Sequence, residues 1–115
     1  MTDLHQLPQA IAQIQRQALA QEGEIRYLKA TLTTFDREIE GTIAFDPELK
    51  NESQRKAKKA ELQAEEDYQA LSIKLQRAQD GLIELQIESE LLRSQLSILK
   101  LEMRGAIARL EAEAA

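Results

Sequence analysis

Apolar side chains recur along this chain at alternating intervals of three and four residues. Ile11, Ile14, Ala18, Gln21, Ile25, Leu28, Leu32, Phe35 and Ile39 keep that interval without a slip, and eight of the nine are apolar. Leu4 and Leu7 extend the same phase backward. On a helix these positions fall on one narrow stripe, the seam of a coiled coil. Pro8 suits a first helical turn and Gly41 a C-terminal stop, so the pattern predicts a first helix over about residues 8–40.

After a link at 41–46, Asp46-Pro47 reads as a second helix start, because Asp accepts free amide protons and Pro fits the first turn. A second seam then runs through Tyr68, Leu71, Leu75, Ala78, Leu82, Leu85, Ser89, Leu92, Leu96, Leu99, Met103, Ala106 and Leu110. Asp80-Gly81 is a turn dipeptide inside it, yet the phase crosses it unchanged. The reading is therefore one long second helix, about residues 47–112. A short link between helices sets them antiparallel.

The predicted fold is all-α: a single domain in which a short and a long helix form an antiparallel coiled-coil hairpin, dimerising into a helical bundle. The alternative is a single-chain three-helix bundle with helices at about 8–40, 47–79 and 82–112, broken at Asp80-Gly81. With the hairpin turn centred near Asp46, Phe35 would face the region from Ala57 to Ala60, and Ile11 that from Ala78 to Leu85. Tyr27 would lie near Tyr68, and the second helix beyond about Leu92 would lack a partner within its own chain.

That last stretch carries a further stripe. Ile83, Ile87, Leu91, Ile98, Leu101 and Ala108 fall on the face opposite the seam. A helix apolar on two sides is ordinarily covered on two sides. The simplest cover is a second copy of the chain, so these six residues are the candidate oligomer interface, with the C-terminal halves of the second helices at its centre. Two seam positions are polar. Gln21 and Ser89 are read as structural, fixing register or allowing close approach. Gly105 shares the phase of the second stripe.

Composition supports helices rather than a sheet core. Aromatics are 3%, Gly and Pro are 4 and 2 in number, and charged residues are 30% of the 115. The chain contains no cysteine, which excludes disulfides and thiolate metal sites. No segment reads as a signal peptide or approaches the roughly 20 apolar residues needed to span a bilayer. The expectation is a cytoplasmic protein without a membrane association.

Little chemistry is written in the sequence. Phosphate-binding, dinucleotide-binding and nucleophile-elbow motifs are absent. His5 is the sole histidine, close to a terminus and with nothing nearby in sequence to orient it. Carboxylates recur in pairs, but no Glu-x-x-His accompanies them, and they read as solvated faces. No catalytic, metal or cofactor site is assigned, and the chain is not read as an enzyme.

One departure from the acidic balance remains. The chain carries a net charge of −5, but Lys50, Arg55, Lys56, Lys58 and Lys59 face only Glu52 between residues 50 and 59. These five are the candidate contact for an anionic partner. Few arginines and no interleaved aromatics weigh against nucleic acid, and the lack of a bulky apolar face weighs against a membrane surface. Glu61, Glu65, Glu66 and Asp67 follow directly, and Asp36, Glu38 and Glu40 sit on the first helix, so the cations have acids within reach. The leading expectation is a non-catalytic homo-oligomeric adaptor or scaffold that contacts a protein partner. The rival is a nucleic-acid-associated accessory protein using the basic tip.

Overall fold

The computed structural model describes residues 4–114 as three α-helices, with no strand among the described residues. Helix α1 spans Leu7–Ala44, α2 spans Glu52–Gln63 and α3 spans Glu66–Ala114. The fold class is all-α, as the periodicity predicts. The chain divides into two compact units. One combines the start of α1, to Ala20, with α3 from Leu82 onward; the other runs from Gln21 to Gly81.

The helix boundaries correct the sequence reading in several places, and each correction has a local cause. Gly41 does not stop α1, which runs on to Ala44. None of the described glycines has a positive φ, so none supplies the left-handed backbone of a helix stop. Thr31, Thr33, Thr34 and Thr42 donate their hydroxyls to the carbonyls four residues earlier, which accommodates these β-branched polar residues within α1. Asp46-Pro47 does not begin a helix either. The Asp46 carbonyl accepts from the Leu49 amide at 3.3 Å, and Asp46 Oδ1 accepts from the Glu48 amide at 2.9 Å. This is a β-turn with Asp first and Pro second, the other structure for which that dipeptide is suited.

Helix α2 begins later, at Glu52, with Asn51 as its N-cap. Asn51 Oδ1 accepts from the Gln54 amide at 2.8 Å, and Gln54 Oε1 accepts from the Lys50 amide at 2.7 Å. The two side chains answer free donors on either side of the helix start, a variant of the capping box.

The predicted second helix is interrupted at Ala64–Glu65, so it is neither continuous nor broken at Asp80-Gly81. Gly and Pro are both absent from this joint. Gln69 Nε2 donates to the Gln63 carbonyl at 2.7 Å, satisfying an acceptor that the ended helix releases. Glu66 and Asp67 then place negative charge in the first turn of α3, where the helix dipole favours it.

Within the Gln21–Gly81 unit, α1 pairs antiparallel with α2 and the start of α3, which is the predicted hairpin. Lys59 meets Glu40, Tyr68 meets Phe35, and Ala78 meets Gln21. The predicted register is displaced. Phe35 faces Tyr68, not Ala57 to Ala60, because α1 runs on to Ala44 and α2 starts only at Glu52, which places the turn later in the chain than the predicted link. Tyr27 is largely exposed, about two turns of α1 from Phe35. Ile25, Leu28, Ile39 and Ala78 are buried, and every seam position from Gln21 to Ile39 is at least half-covered.

Gln21 is the polar exception in this row. Its Nε2 donates to the Ala78 carbonyl at 2.8 Å and lies 3.1 Å from where a side-chain carbon on Gly81 would stand. Gly81 thus leaves room for the amide to cross α3 and reach its acceptor. In the other unit, Leu7 is wholly buried and Ile14 nearly so. The seam on α3 stays partly covered as far as Leu99, beyond the predicted limit of Leu92, and residues 100–114 are exposed.

The Gln21–Gly81 contact predicts a non-additive pair. Gly81→Ala should raise helix propensity by up to about 1 kcal/mol, but the Gln21 amide must shift to admit the methyl group. We expect Gly81→Ala to be neutral or destabilising in the natural background. In a Gln21→Ala background it should stabilise by close to the full amount, read from urea unfolding of all four proteins.

Candidate functional site

Two exposed surfaces correspond to the sequence candidates. The first is the basic segment. Lys50 precedes α2, while Arg55, Lys56, Lys58 and Lys59 lie on it. Lys59 Nζ binds Glu40 Oε1 on α1 at 2.9 Å. Lys56 pairs with Glu52 at 3.5 Å and Lys58 with Glu61 at 3.6 Å, both within α2. The hydrogen bond to Glu40, followed by the charge of the same carboxylate, holds the Lys59 ammonium above its ordinary pKa. Three of the five cations thus have acidic neighbours from their own chain. Arg55 and Lys50 are exposed and extend the positive charge outward.

Beside this segment, the α2–α3 joint holds a polar cluster that the sequence reading missed. The Tyr68 hydroxyl donates to Asp36 Oδ1 at 2.9 Å, and Gln63 Nε2 donates to the same oxygen at 3.3 Å. The Tyr68 ring stands edge-on to Phe35, with centroids 6.4 Å apart. Burial, then the bond to Asp36 and its charge, raises the Tyr68 phenol above its ordinary pKa. The signal in sequence is Glu65-Glu66-Asp67, which marks the first turn of a new helix as well as a neutralising neighbour for the lysines.

The second surface is the outer face of α3 within its C-terminal unit. Ile83, Ile87, Leu91, Ile98 and Leu101 are between 54% and 64% exposed, and Ala108 is exposed as well. The candidate interface residues are therefore brought together on one uncovered face. Other apolar residues near the end of α3 are also uncovered: Met103, Ile107 and Leu110 are each about half exposed or more. A shallow apolar groove of about 430 Å³ lies where Leu4 and Pro8 approach Leu96, Met103 and Ile107. Ser89 is half-covered at its seam position, where a small side chain suits close packing.

Among the described residues, no group of three or more His, Asp or Glu side chains is placed to hold a metal ion. No described helix is long and apolar enough to cross a membrane. What the exposed surfaces offer is contact, apolar on α3 and cationic on α2.

The Tyr68 site predicts a change in alkaline stability. Because the folded phenol titrates above the unfolded value of 10.0, its contribution is fully present below pH 10 and lost as pH rises toward the folded pKa. Lys59 acts in the same sense above 10.5. Chemical unfolding measured across this alkaline range should show a shallower loss for Tyr68→Phe than for the natural protein, without abolishing it. No protein family, curated protein or solved structure matches this chain.

Proposed function

We propose that this chain is a non-catalytic, self-associating coiled-coil protein that serves as an adaptor or scaffold, with a second copy of itself and another protein as partners. The observation that carries the reading is the row of large apolar side chains left uncovered on α3. Scattered apolar residues are ordinary on a protein surface, but a contiguous helical stripe signals a contact face. The stripe lies on the side of α3 away from the half-covered seam positions, so the helix is apolar on two sides. The absence of cysteine suits a reducing compartment such as the cytoplasm.

Light scattering tests the self-association. We expect about twice the chain mass of 13.0 kDa. The double substitution Leu91→Glu with Leu101→Glu should return the single-chain mass with helicity unchanged, because both side chains project from the uncovered face. A natural protein that stays monomeric at every concentration would defeat the proposal.

The basic segment is read as solvated helix surface. Its ion pairs to Glu40, Glu52 and Glu61 support this over a nucleic-acid site. We expect no retention of DNA or RNA at low salt, and no change on reversing Lys56, Lys58 and Lys59 to Glu. Binding that falls steeply with salt and disappears in the reversed variant would favour the nucleic-acid-associated reading instead.

A further inference from the structure

Resting on the self-association proposed above, we infer that the outer face of α3 takes a second copy of itself antiparallel, about a two-fold axis near residue 96. The uncovered side chains form a second heptad seam. Ile87, Leu91, Ser94, Ile98, Leu101, Gly105 and Ala108 follow each other at intervals of four and three without a slip, and all are exposed. Ile83 continues the row one turn earlier, also exposed. Unlike the inner seam, this one mixes large and very small residues, and their order decides the orientation.

Centred near residue 96, an antiparallel pairing sets large against small in most layers. Ile87 of one copy lies opposite Gly105 of the other, Ser94 opposite Ile98, and Ile83 opposite Ala108, while Leu91 faces Leu101. Most layers then have a similar width, and two helices can approach evenly along the row. A parallel pairing in register sets Ile87 on Ile87 and Gly105 on Gly105. Its layers divide into crowded and empty ones, and the empty ones forfeit contact. Gly105 has open space around the position of a side-chain carbon, so the slot it leaves is unfilled by its own chain.

Charge points the same way. Between Leu82 and Leu92 the helix carries Glu84, Glu88 and Glu90 and no cation. Between Arg93 and Leu110 it carries Arg93, Lys100, Arg104 and Arg109 against Glu102 alone. An antiparallel pair lays the acidic end of each copy along the basic end of the other, with Glu84 near Arg109 and Glu90 near Arg104. A parallel pair lays acid along acid and base along base, which is unfavourable at the flanks of such a seam.

Single cysteines read the orientation, since the natural chain has none to interfere. Full-length Ile87→Cys and Gly105→Cys, carrying distinguishable tags, are co-expressed and mildly oxidised. We expect a covalent dimer containing one of each, and little crosslinking when either variant is made alone. In the antiparallel pair, like positions 87 and 87 would sit about 27 Å apart along the axis, beyond disulfide reach. Homodimeric crosslinks from each variant alone would establish the parallel arrangement and overturn the inference. A dimer by light scattering with no mixed crosslink would place self-association on another face, overturning this inference while leaving the proposed function intact. A monomer would defeat both.

A charge exchange guards against disturbance by the cysteines. Glu84→Arg or Arg109→Glu alone should raise the dimer dissociation constant by about 5-fold, from two symmetric pairs of modest strength each. The two together should restore it. Failure of the double exchange to restore affinity would also count against the antiparallel register.

Discussion

Gln21 stands in a row of apolar side chains, and that row closes only if its amide finds a partner. It finds the carbonyl of Ala78, across a helix surface kept low by Gly81. A buried amide without an acceptor costs more than a satisfied one returns. Sliding α1 along α3 by one turn within this unit would therefore strand the amide and press it against side chains larger than hydrogen. Apolar packing alone tolerates such slips, because one Leu layer resembles the next. The polar contact makes one register distinct from its neighbours, and the pairings of Phe35 with Tyr68 and of Glu40 with Lys59 follow it.

Much of this architecture was legible in the periodicity. From Ile11 to Leu99, every position assigned to a seam is buried or half-covered, and the six residues assigned to the outer stripe are exposed. Spacing is reliable here because a helix can hide a side chain only on the face that meets another helix, and that face repeats with a fixed period. The polarity of Gln21 was also legible as a register signal, though its acceptor was not.

Boundaries were less legible, and the reason is chemical. Gly41 and Gly81 suggest a stop and a turn, but glycine permits those conformations without requiring them. Asp46-Pro47 fits a helix start and a β-turn equally, and the turn prevails because Asn51 and Gln54 supply a better cap a few residues on. The break at Ala64 has no breaker residue to announce it. Only the acids that follow mark a new helix end, and a second explanation for their charge hides that meaning. The basic segment was legible as a cluster, but its pairing to Glu40 depends on a register that sequence does not supply.

The joint between α2 and α3 differs in kind from the turn at Asp46-Pro47. Proline fixes its own backbone whatever surrounds it. At Ala64 and Glu65 both residues are good helix formers, Ala64 keeps an ordinary right-handed backbone, and the bend is held by Gln69 on the Gln63 carbonyl and by Tyr68 and Gln63 on Asp36. The Ala64 and Glu65 amides also donate back to the carbonyls of Ala60, Glu61 and Leu62, so backbone and side chains hold this interruption of the helix together. Of these contacts only the two to Asp36 come from α1, so the segment from Glu52 onward, taken alone, would keep the local bonds of the joint and lose its outside anchor.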